Sequence, residues 1–231
     1  MRNLIRAVCF LWVAGLWAQD VTPPDFTAVD SLYREDQFYL GITYIILQVK
    51  PGNVKQNKLS LGFSGGFLRD MPFNKKRTWS VAAGLGYTFH NFNHNLQMTK
   101  IGDEPVGYNF FPPNNYFRKN KLMLHYLDLP IELRWRTSTP ESHKFWRIYT
   151  GFKLSYLFYD QYKYRGDGPD YTISHNDHLS DFLYGVYLAA GYNTWNVNVY
   201  YSLSPIYSEG TVSGQDIGMR TLSIGLMFYI L

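Results

Sequence analysis

Alternation of apolar and polar residues, repeated over eight segments of about ten residues each, most constrains how this chain of 231 residues can fold. Successive side chains of a β-strand point to opposite faces, so each segment would carry one apolar row and one polar row. In YLDLPIELRWR, Leu127, Leu129 and Ile131 alternate with Asp128 and Pro130. The eight segments are 38–47, 59–67, 79–89, 126–136, 146–158, 182–192, 195–204 and 221–231.

Eight such segments are typical of a transmembrane β-barrel, whose sheet must close because the bilayer core offers no water to an open edge. Aromatic residues make up 18% of the chain and charged residues only 17%, below the roughly 25% of average domains. A soluble lipocalin-like barrel or a sandwich is the alternative, but the apolar face is larger and more aromatic than its core needs. We therefore predict an all-β fold, a transmembrane eight-stranded antiparallel up-and-down β-barrel with a plugged lumen.

The N-terminal residues have the layout of a secretory signal peptide, with Arg2 and Arg6 before an apolar run at Ala7–Trp17. The run is short of the ~20 residues of a spanning helix, which favours cleavage over an uncleaved membrane anchor. Cys9 is the only cysteine and lies in this segment, so disulfides and cysteine metal sites are not expected in the mature chain. The predicted organisation is a signal peptide at 1–19, a periplasmic lead-in at 20–36 and the barrel at 37–231.

The connections would alternate between long outer loops and shorter periplasmic turns if both chain ends are periplasmic. The predicted outer loops are Val49–Lys58, Asn91–Asn120, Asp160–Asp181 and Pro205–Arg220. The predicted turns are Arg69–Thr78, Thr137–Lys144 and a tight turn near Asn193. The four tryptophans beyond the signal fall on the apolar face at the periplasmic strand ends, which predicts an interfacial aromatic girdle of Trp79, Trp135, Trp146 and Trp195.

The interior of an eight-stranded barrel is just filled by side chains, and inward glycines leave room for large inward groups such as Tyr39 and Tyr187. Inward charges must compensate one another because a desolvated lone charge is costly. A proton-transfer carboxylate pair is the functional alternative, although the nearby bases favour a structural network. The predicted lumen ion network comprises Asp128, Glu132, Arg134, Arg147 and Lys153.

The register of this network depends on how two strands pair. If Trp135 pairs with Trp146, Asp128 faces Lys153 and Glu132 lies diagonal to Arg147. A shift of two residues would place Glu132 directly opposite Arg147. Pro130 has no N–H to donate and a closed barrel has no free edge, so we predict a bulge or a locally lost ladder bond there.

No enzymatic activity, cofactor or metal site is predicted. The loop ISHNDHLSD holds His175, Asp177 and His178, which could bind a metal or activate water, but the spacing matches no motif and the composition predicts a flexible, solvated loop. A loop-based hydrolase is therefore the weaker alternative. The formal charge of +4 is scattered along the chain, which argues against nucleic-acid binding, and no small-molecule substrate is predicted.

Two segments are candidate partner-binding surfaces. The outer-loop stretch NFFPPNNYF exposes aromatic residues, which mark either a partner site or a lid over the barrel mouth. The stretch RDMPFNKKR is long for a periplasmic turn and mixes charge with apolar residues. The candidate residues are Arg69, Asp70, Met71, Pro72, Asn74, Phe110, Phe111 and Tyr116.

The stretches Tyr33–Leu47 and Gly62–Phe89 resemble PorT-type outer-membrane proteins of the type IX (Por) secretion system of Bacteroidota. The resemblance to PorT-type proteins rests mainly on Gln37–Gly41 and on Arg69, Asp70, Met71, Pro72 and Asn74. More broadly, YLDLPIELRWR and GFKLSYLF resemble small outer-membrane barrels of these bacteria. The chain departs from the usual pattern by ending in Leu231 instead of an aromatic residue.

The resemblance implies a location in the bacterial outer membrane and contacts with membrane lipid and other secretion-system proteins. It implies a role in protein export, often coupled to gliding motility or protease secretion, with no enzymatic activity and no cofactor. The alternative is a small surface barrel that binds ligands or host molecules through its long outer loops.

Overall fold

Eight long β-strands dominate the computed structural model, which describes residues 36–56, 58–102, 104–111, 117–138 and 145–230. The predicted signal peptide and all but the last residue of the lead-in lie outside these residues. Within the described ranges, no helix is long and apolar enough to cross a membrane. The long strands are β1 (Gln37–Gln48), β2 (Leu61–Pro72), β3 (Trp79–Asn93), β6 (Phe117–Arg136), β7 (Trp146–Gly166), β9 (Phe182–Tyr192), β10 (Trp195–Ser202) and β13 (Arg220–Ile230).

These strands form a closed antiparallel barrel in which sequence neighbours pair, β13 pairs with β1 and β6 pairs with β7. A path that starts at Arg147 on β7 and passes from each residue to its direct partner on the next strand goes once around the barrel. It returns to β7 at Leu157 and not at Arg147, so the paired strands are staggered. This stagger requires the strands to tilt from the barrel axis, typically by 35–45°. The predicted eight-stranded up-and-down barrel is therefore confirmed.

The barrel is apolar outside and polar inside. The outward rows expose large apolar side chains, with Leu85 at 71% and Phe38 at 61% relative exposure. The inward rows bury charged and hydroxyl groups, and Arg134, Arg136 and Tyr149 are fully enclosed. A soluble barrel would have the opposite arrangement, so the outer surface is built to contact lipid.

Tyrosine side chains fill the lumen opposite inward glycines, as the sequence predicts. A Cβ atom at Gly86 would collide with the hydroxyl of Tyr39, and one at Gly151 would lie 2.9 Å from the hydroxyl of Tyr187. Each glycine thus leaves the space that a neighbouring phenol ring occupies. The consequence is a packed interior.

The outer ends of β6 and β7 extend well beyond the membrane-spanning part of the barrel. These strands have 20 and 21 residues, about twice the 9–11 that a tilted spanning strand needs. The predicted loops Asn91–Asn120 and Asp160–Asp181 are therefore shorter than expected, because the strands continue above the membrane with a polar outer face that has the composition of a loop.

The remaining outer segments fold into a cap that shares a hydrophobic core with the upper barrel. Short strands within it are β4 (Leu96–Thr99), β5 (Gly107–Phe110), β8 (Tyr171–Ser174), β11 (Thr211–Val212) and β12 (Gln215–Asp216). Leu96, Met98, Tyr108, Tyr162 and Tyr207 are all buried together in this core. The cap belongs to one continuous apolar cluster with the upper barrel interior.

Pro130 interrupts one ladder without shifting the register. The β3–β6 pairing runs from Trp79 to Ala83 and resumes at Gly86, so the ladder is interrupted where Pro130 lies. On the other side, Pro130 stays in register with Lys153. The predicted lost ladder contact is confirmed, whereas the bulge lies higher, where Phe158 is the extra residue opposite His125 and Tyr126.

Candidate functional site

The lower lumen contains a buried ion network centred on Asp70. Its carboxylate accepts hydrogen bonds from Arg134 Nη1 at 3.3 Å, Arg136 Nη2 at 2.8 Å and the Ser80 hydroxyl at 2.6 Å. Arg134 Nε donates in turn to Glu132 Oε2 at 2.6 Å. Two carboxylates and two guanidinium groups therefore compensate one another in a space from which solvent is excluded.

A second group of polar side chains lies higher in the lumen around Asp128. Lys153 Nζ lies 3.2 Å from Asp128 Oδ2, Ser155 donates to Oδ1 at 2.6 Å, and Thr88 also donates to this carboxylate. The ammonium group of Lys153 also lies 4.8 Å from the ring centre of Tyr200. Asp128 and Lys153 are thus brought together, although Asp128 lies directly opposite Ser155 in the ladder.

The predicted pairing of Glu132 with Arg147 is wrong. Trp135 pairs with Ile148 and not with Trp146, so Glu132 faces Gly151 and binds Arg134 and the Tyr187 hydroxyl, the latter at 2.7 Å. The Arg147 guanidinium instead lies over aromatic rings of the lower lumen. Its distances to the ring centres of Phe145, Tyr229 and Tyr149 are 4.5, 5.4 and 5.7 Å.

Sequence reasoning missed Asp70 and Arg136 as members of the network. The sequence analysis predicts that Asp70 lies in a partner-facing turn, but it lies on β2 with its side chain fully buried in the lumen, so it cannot contact a periplasmic partner. The alternating pattern does predict that Asp70 faces the lumen, because it lies an even number of positions from the inward residues Gly66 and Leu68. Arg136 likewise lies an even number of positions from the inward residues Glu132 and Arg134.

The filled lumen restricts what the barrel can do. The lumen retains a cavity of about 50 Å³, bordered by groups that include His90, Glu132 and Lys153. That volume holds about three or four waters. Among the described residues, ion-paired and aromatic side chains fill the lumen and leave no open path for a solute.

The β2–β3 turn is an ordered structure at the tryptophan end of the barrel. Asn74 accepts a hydrogen bond from the Trp79 backbone at 3.0 Å and donates to the Thr78 hydroxyl at 2.8 Å, while Arg77 has a φ of 55°. This conformation leaves Met71 and Phe73 exposed at 47% and 64%. On the same strand, Arg69 forms an ion pair with Asp36 at 2.9 Å, and Pro72 is the last residue of β2.

The four tryptophans lie on the outer surface at this end. Trp79 and Trp135 are directly paired across β3 and β6. Trp146 pairs with Tyr192, at 5.3 Å between ring centres, and Trp195 packs edge-on against Phe228. By the rule that short turns are periplasmic, this is the inner rim of the barrel.

The aromatic outer-loop residues pack into the cap. Phe111 stacks on Phe117 and Tyr164, with ring centres 4.7 and 5.4 Å apart, and Phe110 packs against the core of the cap. This packing corresponds to the lid alternative for the stretch. Tyr116 lies outside the described residues.

The histidine-containing loop is more ordered than its composition predicts. Asp160 on β7 accepts hydrogen bonds from the backbone N–H groups of His175 and Asn176, and burial raises its pKa. The ring of His178 lies 5.8 Å from that of Tyr108. Within the described part of the chain, no three His, Cys, Asp or Glu side chains converge as metal ligands would.

Solved structures with a similar arrangement are distant in sequence. One is Ail, the attachment invasion locus protein of Yersinia pestis, in complex with the heparin analogue sucrose octasulfate; it is 13% identical, with a TM-score of 0.39 over 85% of this chain and 100% of that one. Another is a mutant porin of Rh. blastica, 9% identical, with a TM-score of 0.21 over 86% of this chain and 100% of that one. Likeness at this level supports no conclusion about function.

Sequence comparison gives the family assignment. No curated protein sequence matches the chain significantly. The model of the outer membrane protein beta-barrel domain family matches residues 17–208, most of the chain. The closed barrel, its apolar outer surface and its girdle agree with this match and place the protein in the bacterial outer membrane. The chain therefore belongs to the outer membrane protein beta-barrel domain family.

Proposed function

We propose that this protein is a non-enzymatic component of a type IX-like protein secretion apparatus and acts by binding other secretion components. The proposal rests on the resemblance to PorT-type proteins at Gln37–Gly41 and at Arg69, Asp70, Met71, Pro72 and Asn74. It is supported by the packed lumen, which leaves binding as the means by which such a barrel would contribute to export.

The β2–β3 turn is the observation that carries the proposal. Its hydrogen-bonded conformation holds Met71 and Phe73 outward, next to Lys75, Lys76 and Arg77. Exposed apolar side chains on an ordered, basic turn form a surface suited to a periplasmic protein partner. Asn74 would contribute to this surface indirectly, because its hydrogen bonds hold the turn in the conformation that exposes Met71 and Phe73.

Deletion of the gene is expected to trap secreted cargo in the periplasm. The double variant Met71→Ser/Phe73→Ser should reproduce this block, because it removes the apolar contacts and leaves the barrel core intact. Cargo in the medium and in the periplasm would be measured by immunoblotting. Heat-modifiable migration on a gel would verify that the variant is folded.

Ile101→Ser is the matched control, since Ile101 is 80% exposed on the outer side and lies far from the turn in the barrel topology. It should secrete normally. Normal secretion by the deletion strain would refute the role in export. Normal secretion by the Met71/Phe73 double variant alone would exclude the turn as the contact surface.

The ordered cap favours a second candidate function, a surface barrel that binds ligands or host molecules through its outer loops. A packed core holds the β4–β5 and β11–β12 hairpins in place, as expected for a preformed binding surface. Replacing Ile101–Val106 and Gly168–Thr172 with Gly-Ser linkers should then abolish surface binding in a whole-cell adhesion assay while secretion continues. Retention of binding would count against this function.

A further inference from the structure

A row of basic side chains lies on the outer surface of β6 and β7, above the lipid-facing part of the barrel. Alternation continues along β6 from Leu127 through His125, so Lys121 and Lys119 also point outward. Lys121 lies directly opposite Lys163 on β7. We call Lys119, Lys121 and Lys163 the lysine row.

The lysine row lies at the height of the outer-leaflet headgroups. Below it, Tyr87, Phe89, His125, Phe158 and Tyr159 pack together, and the Tyr87 hydroxyl lies 2.7 Å from His125 Nδ1. Such a cluster marks the outer membrane interface. Lys121 is four residues beyond His125, which at ~3.3 Å per residue and the usual tilt is about 10 Å above this level.

The charge of the lysine row is uncompensated within the described residues. Like charges directly opposite each other across a ladder are destabilising. Burial, together with Lys119 and Lys163, lowers the pKa of Lys121. No described acidic side chain lies within ion-pair distance of any of the three lysines. A surface with this arrangement is suited to an anion supplied from outside the chain.

A pocket of about 260 Å³ opens beside the lysine row. Three polar atoms of its lining residues, His94 Nε2, Asn120 Oδ1 and Asn91 Oδ1, are buried and have no hydrogen-bond partner among the described residues. Buried polar groups in proteins are nearly always satisfied by protein, water or a ligand, so these three atoms have hydrogen-bonding capacity for a molecule that enters the pocket. The lining residues are Lys58, Asn91, Asn93, His94, Phe117, Arg118, Lys119, Asn120 and Lys121.

The donor or acceptor role of each of these atoms indicates which chemical groups a ligand must present. Burial lowers the pKa of His94 to about 4, so its ring is neutral at neutral pH. Nδ1 accepts a hydrogen bond from the Leu96 backbone N–H at 3.3 Å, which assigns the proton to Nε2 and makes it a donor. Asn120 uses its Nδ2 on the His94 and Leu96 carbonyls, so its Oδ1 is available to accept.

Cationic groups and a neutral donor suit phosphate oxygens, and free amide oxygens suit sugar hydroxyls. We propose that the pocket and the lysine row bind the phosphorylated saccharide headgroup of the outer-leaflet glycolipid. The acyl chains would then run down past the aromatic cluster along the lipid-facing rows of β3, β6 and β7. A phosphate that bridges the two ammonium groups would compensate the repulsion between Lys121 and Lys163.

The test uses the full-length mature protein folded in detergent micelles, with bisphosphorylated lipid A as the probe and native mass spectrometry as the readout. Lys121→Gln/Lys163→Gln is expected to weaken lipid A binding at least tenfold. The midpoint of thermal unfolding without lipid A should not fall, because a like-charge pair is removed. Lipid A should raise that midpoint in the parent protein and much less in the variant.

Lys50→Gln/Lys100→Gln is the matched control, since both lysines are exposed on the outer loops and neither lines the pocket. It changes the net charge equally and should bind lipid A as the parent does. His94→Phe, which removes the Nε2 donor and retains a ring, should also weaken binding.

Unchanged binding by the Lys121/Lys163 variant would overturn the proposal, as would equal binding of lipid A stripped of its phosphates. Competition by inorganic phosphate at a concentration equal to that of lipid A would also overturn it, because the site would then take a soluble anion. A lower unfolding midpoint in the lipid-free variant would refute the argument from repulsion.

Discussion

Asp70→Asn is expected to lower the free energy of unfolding by about 3–5 kcal/mol, the usual cost of removing one partner from a buried ion pair. Asparagine keeps the shape of the side chain but removes the charge that compensates Arg134 and Arg136, at 3.3 and 2.8 Å. All three side chains are fully buried, so solvent cannot replace the lost interaction. Urea titration of the folded barrel in lipid vesicles, followed by tryptophan fluorescence, measures the change.

Two further variants separate charge from packing in this experiment. Asp216→Asn removes an exposed acid from the outer cap and should change the unfolding free energy by less than about 0.5 kcal/mol. Adding Arg136→Met to Asp70→Asn should recover part of the loss, because it restores the balance of charge in the lower lumen. An Asp70→Asn variant as stable as its parent would show that the network contributes little to stability.

Leu129→Arg is expected to cost about 2–4 kcal/mol of unfolding free energy, the cost of a cationic side chain at the lipid-facing midplane of a barrel. Leu129 points outward, is 44% exposed and lies midway along β6 between His125 and Trp135. The arginine side chain would have to extend past the tryptophan girdle or past the aromatic cluster around His125 to reach water. The same vesicle titration applies.

Leu133→Arg provides a control on the same strand and the same face. Leu133 is next to the girdle residue Trp135 in the outward row, where an arginine head can reach the interface, so its cost should be only about 0–1 kcal/mol. Equal costs at the two positions would contradict the placement of the membrane along β6. Negligible cost at both would contradict contact with lipid.

The barrel could be predicted from the chain because its main signal is local. Each residue of a spanning strand faces either lipid or lumen. The neighbouring residues Leu129 and Asp128 therefore identify the two faces of their strand, whichever strands it pairs with. The tryptophans mark one end for the same reason, since the indole ring prefers the interface. The cap was harder to predict, because above the membrane Lys121 and Lys163 point outward on strands that no longer carry an apolar row.

The alternating pattern is enough to predict the eight strands of the barrel, the face of each of their residues and the end of the barrel where the tryptophans lie. The hydrogen bond between Glu132 and Arg134, the position of Arg147 over aromatic rings and the partners of Asp70 became known only from the folded barrel. A register slip of one residue would turn every side chain to the wrong face, and the alternating pattern excludes it. A slip of two residues keeps every face intact, so the choice between such registers depends on packing and charge contacts around the whole closed barrel.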